Sequence, residues 1–152
     1  MDGQLRELQL RQTDAMLAMW RDARLAPRPV GGWAKAIREA LGMTAAALAR
    51  RLGMTGAGVN KLESAEADGA ITLASLRKLA NALDCELHYA LVPRMSLAER
   101  LQERAEQVAR DRLRPVSHSM ALEDQAVGAR DSERQTELLA QQLLLGSRRE
   151  LW

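Results

Sequence analysis

The residues best suited to chemistry lie within 21 positions, MTAAALARRLGMTGAGVNKLE, residues 43–63. Thr44 and Thr55 each stand where a helix could begin, and a threonine there accepts a hydrogen bond from an early backbone N–H. The remaining free N–H groups and the helix dipole then attract anions. Asn60 and Lys61 follow within the second segment; an asparagine amide can pair with adenine, and a lysine ammonium can donate to guanine or phosphate. Noncovalent recognition is the chemistry these types support. Two glycines, Gly56 and Gly58, sit where longer side chains would be expected of a base-reading helix, so direct readout is thin.

Covalent and metal chemistry find less to work with. Ser117, His118 and Ser119 are adjacent, so their side chains diverge, and no third residue is identifiable as an orienter. Cys85 is the single cysteine, and with only two histidines the chain has no zinc-ligand spacing. No cofactor or metal is expected, and the chain does not read as an enzyme. The arginines at 100, 104, 110, 112 and 114 alternate with Glu99, Glu103, Glu106 and Asp111 and read as a salt-bridged solvated face.

The elements that must position these residues follow from periodicity and punctuation. An amphipathic helix is expected over Gln4–Arg24, ended by the linker APRPVGG, residues 26–32. Trp33, Ile37 and Leu41 make one face of the next helix, which Gly42 stops. Thr44 caps a helix through Leu48 and Leu52 that ends at Gly53, and Thr55 caps one carrying Val59 and Leu62. A loop at 64–70 precedes a helix capped by Thr72, with Leu76, Leu79 and Leu83 on its buried side. In CELHYALVP, Leu87, Tyr89 and Leu91 alternate with Glu86, His88 and Ala90, which predicts a short strand over 85–93. Such a strand cannot stand alone, so a second copy of the chain or a partner protein is expected to pair with it. Ser96 and Glu99 form a capping box for a helix to about Arg112, and Pro115 is expected to end that segment. SHSMALEDQA reads as a further short helix, and Ser132 with Gln135 opens a last one through Leu138, Leu139 and Leu143.

Composition sets the limits. The chain has 152 residues, 47% of them apolar, yet only four aromatics and no Phe, so Leu, Ala, Met and Val must build the core. That favours helices. With 22 Lys and Arg against 20 Asp and Glu, the net charge is +2 and says little about partners; a small positive excess falls on residues 32–94. No apolar run approaches the roughly 20 residues that cross a bilayer, and the start is too polar for a signal peptide. A cytoplasmic protein without a membrane role is expected.

Residues 44–62 meet the geometric demands of a helix-turn-helix: small Ala49 where the helices approach, Gly53 at the turn, and Val59 and Leu62 plugging the second helix. With the preceding and following helices, Trp33 to Leu83 resembles the helix-turn-helix domain of the phage repressor and Cro class. That resemblance implies a helix opened by Thr55 in the major groove, with Gly56, Ala57, Asn60 and Lys61 toward base edges. It sets Thr55, Thr44 and Ala45 against phosphates. It further implies an ion pair between Arg38 and Glu63 as a strut. A homodimer, with two such helices about 34 Å apart, would read a palindromic operator in double-stranded DNA.

The segments GWAKAIREALGMT, ITLASLRKLANALDCELHYALVP, VSHSMALEDQ and the terminal LW together resemble the mobile mystery protein A family over nearly the whole chain. Members of that family are typically encoded beside a Fic-domain protein, which implies a toxin partner for an antitoxin-like repressor. The chain cannot itself carry the Fic catalytic loop, because it has no Phe and neither histidine precedes a proline. Ser119 and Glu123 resemble the inhibitory helix of Fic regulators, whose last position is Gly or Asn where this chain has Asp124. The expectation is therefore a mainly α protein. Residues 1–31 are an N-terminal helix and linker, 32–94 a phage-repressor-like helix-turn-helix bundle with one short strand, and 95–152 a helical arm for dimer or partner binding. An alternative makes the helix-turn-helix a scaffold for a direct inhibitor of a Fic AMP-transferase.

Overall fold

The computed structural model describes residues 3–122 and 128–152, apart from the side chains at 117 and 120–122. The described residues are mainly helical: α1 Gly3–Asp22, α2 Trp33–Ala40, α3 Ala45–Leu52, α4 Gly56–Ala67, α5 Leu73–Ala82, α6 Leu97–Leu122 and α7 Ala129–Leu145, with a 3-10 turn at Arg148–Leu151. Residues 24–90 form one compact unit; residues 1–23 and 91–152 form the other. The N-terminal helix and the C-terminal arm, separate in sequence, are thus one body.

In the first unit, α2 to α5 enclose Ala34, Leu48, Ala49, Val59, Leu79 and Leu83. Leu48, Val59 and Leu79 are fully buried, each contributing about 1.5–3 kcal/mol over an exposed position. Thr44, Thr55 and Thr72 cap α3, α4 and α5, accepting from Ala47, Gly58 and Ser75 N–H groups, each at 3.1 Å. The C-terminus of α3 closes at Gly53, whose φ of 67° lies in the left-handed region; Met54 N–H donates back to Ala49 O at 3.0 Å. A Cβ there would meet nothing within 4 Å, so the turn selects glycine for backbone conformation alone. Helix α5 ends by the same pairing, but the left-handed residue is Asp84, with φ 55°.

The second unit packs Ala105, Val108 and Ala109 of α6 against Ala140 and Leu143 of α7 and against Leu151. Ser96 and Glu99 make the expected capping box on α6. Donation from the Ser96 backbone N–H, then from its hydroxyl, holds the Glu99 carboxyl below its ordinary value. A depressed carboxyl supports the folded helix above its ordinary value, and that support is lost as the pH falls from there through the lowered one. Asp14 of α1 adds a second cap, accepting from Leu97 and Ala98 N–H at 2.5 and 3.0 Å. The chain's end is held by Arg104, which donates to Leu151 O and lies 5.9 Å over the Trp152 ring.

Five expectations need correction. Among the described residues there is no strand: Tyr89 and Leu91 are exposed, and no second strand is there to satisfy the backbone of the first. The buried side of α2 is Ala34 and Arg38, while Trp33 and Leu41 turn outward, because small Ala34 lets the helices close and Arg38 must reach an ionic partner. The 64–70 loop is shorter than expected, since α4 continues to Ala67. Pro115 lies inside α6. It is exposed, so water can take the carbonyl its missing N–H leaves unpaired. Helix α7 begins at Ala129, ahead of the Ser132 cap, whose N–H instead donates to Gly128 O within the first turn.

Asp84→Gly should stabilise the first unit. Relief of a left-handed side chain is worth about 1 kcal/mol, and the exposed Arg51–Asp84 pair at 3.8 Å lost in exchange contributes little. A rise of a few degrees in the thermal midpoint is expected; an unchanged or lower midpoint would show that the Asp84 backbone carries no strain.

Candidate nucleic-acid interface

Helix α4 is placed by two carboxylates rather than by a continuous apolar stripe. Glu63 faces inward and accepts from Arg38 Nε at 2.6 Å and from an Arg38 terminal nitrogen at 3.0 Å. The same guanidinium donates to Met43 O at 2.9 Å, so a side chain only 9% exposed is satisfied on three sides. Hydrogen bonding to Glu63 raises the Arg38 pKa, against the opposing effect of burial. One turn on, Glu66 accepts from the backbone N–H groups of Trp33 and Ala34 at 2.7 and 3.0 Å. It caps α2, whose own N-cap position, Gly32, has no side chain to do so.

Gly32 has φ 89°, and a Cβ there would lie 2.8 Å from the Glu66 carboxyl carbon. The glycine therefore serves both the backbone turn and the close approach of α4. Arg28 completes the junction, donating to Glu66 O at 2.5 Å and Ala67 O at 3.1 Å. A cation at that helix end is favoured by the dipole. Sequence reasoning missed both Glu66 and Arg28, placing them in a loop and a linker. One signal was available: a helix preceded by glycine needs an acceptor from elsewhere for its first N–H groups.

With Val59, Glu63 and Glu66 turned inward, α4 exposes Ala57, Asn60, Lys61 and Ser64. Asn60 and Lys61 have no hydrogen-bond or ion-pair partner among the described residues, whereas Arg28, Arg38 and Arg51 are all engaged within the unit. Thr55 stands exposed at the start of α4, and Gly56 is half-buried beside it. A Cβ at Gly56 would meet only ordinary contacts with the Ala46 backbone at 3.9 Å. At Gly58 it would lie 3.3 Å from the Thr55 hydroxyl and 3.4 Å from the Met54 sulfur, so this glycine leaves room for the cap. Thr44 is exposed and Ala45 half-buried at the start of α3. Ser119 is exposed on α6, and Glu123 lies outside the described residues. No group of three or more metal-ligating side chains occurs among the described residues.

Residues 35–89, about a third of the chain, match the family described as helix-turn-helix. No curated protein and no solved structure gives a match to the chain. The first unit is a phage-repressor-like helix-turn-helix domain, a DNA-binding module of transcriptional regulators. No helix among the described residues is long and apolar enough to cross a membrane.

Glu63→Ala leaves a buried guanidinium uncompensated and should cost about 3–5 kcal/mol. Replacing both partners, as Arg38→Met with Glu63→Met, should recover much of that loss. Urea unfolding of the three variants checks this; a double variant no more stable than Glu63→Ala would mean that packing, not the stranded charge, sets the cost.

Proposed function

We propose that the protein is a sequence-specific transcriptional regulator that reads an operator in double-stranded DNA with α4. The carrying observation is that Asn60 and Lys61 stand exposed and without protein partners on a helix whose opposite side is locked by Glu63 and Glu66. Lys61 supplies a donor for guanine or phosphate, Asn60 an amide for adenine or phosphate, and Ala57 an apolar surface for a thymine methyl. Thr55 and Gly56, with Thr44 and Ala45 at the parallel position on α3, offer helix N-termini to the phosphates. Two polar readers give modest discrimination, so a dimer on a palindromic operator and sequence-dependent DNA shape supply the rest.

The sequence resemblance to the mobile mystery protein A family extends this reading. The regulator would act in the cytoplasm as the antitoxin-like member of a pair, repressing its own operon and neutralising a Fic-domain toxin. Ser119, exposed on α6, belongs to the segment that would carry direct inhibition. Co-expression with the adjacent gene separates the two roles. Lys61→Ala should weaken repression while leaving protection intact if neutralisation runs through residues 95–152.

Gel-shift titrations on the fragment upstream of its own gene, at several fixed salt concentrations, test the DNA reading. Lys61→Ala should weaken binding about 5- to 150-fold, the equivalent of about 1–3 kcal/mol. If Lys61 meets a phosphate instead, the loss should be even across sequences and the salt slope should fall by about 1. Wild-type affinity and slope in that variant would end the proposal that α4 reads DNA.

A further inference from the structure

One cation of the second unit lacks a counter-charge. Arg6 of α1 is half-buried. Its Nε is closed off from solvent, and neither that atom nor the terminal nitrogens have a hydrogen-bond partner among the described residues. An ionic donor withdrawn from water and left unpaired is costly, so such a group calls for a partner. The adjacent carboxylate is already used. Glu7 accepts from Arg148 at 3.0 Å and from Arg11 at 3.2 Å. Donation from Arg148, then from Arg11, holds the Glu7 carboxyl below its ordinary value. Asp14, the next carboxylate along α1, is taken up in capping α6.

Arg6 borders a cleft of about 640 Å³ between α1, the start of α6 and the end of α7. Sites for small organic ligands fall in the range of about 300–1,000 Å³ and combine apolar walls with a few polar groups. The walls here include Leu10, Leu101 and Leu144, all half-buried, and the last two pack on the apolar core of the unit. Arg11 and Arg148 share the lining with Arg6, so its described residues carry three guanidiniums against one carboxylate, Glu7.

We propose that this cleft binds an organic carboxylic acid with a hydrocarbon body, its carboxylate on Arg6 and its chain along Leu10, Leu101 and Leu144. A planar carboxylate matches the forked donors of a guanidinium and supplies the single counter-charge that Arg6 lacks. Arg11 and Arg148 reinforce the attraction while their bonds to Glu7 hold them in place. A free phosphate ion would gain nothing from the leucine walls, and an alcohol of the same length would leave the guanidinium uncompensated. The cleft belongs to the unit that does not contain α4. Binding there is measured without DNA, so its outcome is separate from that of operator binding.

Calorimetric titration of the full chain with octanoate, 1-octanol and inorganic phosphate tests it. Octanoate should bind saturably, at one site per chain. Arg6→Met keeps the reach of the side chain and removes the charge; it should weaken octanoate binding about 10- to 150-fold, the equivalent of about 1.5–3 kcal/mol. Arg110→Met, an exposed arginine of α6 outside the cleft lining, should bind like the wild type. As a measurement that needs no substitution, a diazirine-bearing octanoate should label peptides carrying Leu101 or Leu144, and unlabelled octanoate should displace it. The proposal is overturned if octanoate shows no saturable binding in the millimolar range, or if 1-octanol or phosphate alone binds as tightly as octanoate. Wild-type affinity in Arg6→Met, or label confined to other peptides, would overturn it equally.

Discussion

The buried pair of Arg38 and Glu63 is the constraint on which the outward face of α4 depends. Hydrophobic burial is non-directional: Val59 and Leu62 can hold α4 against the core through a range of rotations about its axis. Hydrogen bonds to a planar guanidinium admit far fewer. Glu63 and Glu66, three residues apart on one side of α4, engage α2 in its last turn and at its start. Together they fix the rotation of α4, and with it the outward direction of Asn60 and Lys61. A helix weakened by Gly56 and Gly58 keeps one orientation because its inner side is clamped in this way.

The same electrostatic device recurs through the molecule. A carboxylate supplied by a neighbouring helix satisfies the first N–H groups of α2 and of α6, from Glu66 and Asp14 respectively. Arginines answer at the opposite ends: Arg28 donates to the last carbonyls of α4, and Arg51 to Ala82 O at the end of α5. Each contact places a charge where the helix dipole favours it and satisfies backbone groups that the helix leaves unpaired. Short helices of eight to twelve residues, marginal by themselves, are thereby joined end to side.

Much of the helix-turn-helix was legible because its signals are local. Thr44, Thr55 and Thr72 cap helices in the chain order expected, and Gly53 takes the left-handed turn that only its neighbours in sequence require. The buried positions of Val59 and Leu79 follow from helical period alone. Where the reading failed, the deciding partner was distant. Alternation over Leu87, Tyr89 and Leu91 signals a strand only if another strand exists to pair with it. The outward turn of Trp33 and Leu41 followed from the need of Arg38 to meet a residue 25 positions away.

The amino-acid order by itself determined that the chain would be helical, where most of its first unit's helices begin and end, and which short stretch could meet DNA. Those properties depend on propensity, capping and period, each set within a few residues. The tertiary structure alone decided that Glu66 caps α2, that Arg28 closes α4, and that α1 shares a body with α6 and α7. These depend on groups brought together from positions 32 to 84 residues apart, and hydrogen bonds and burial act on distance in space, not along the chain.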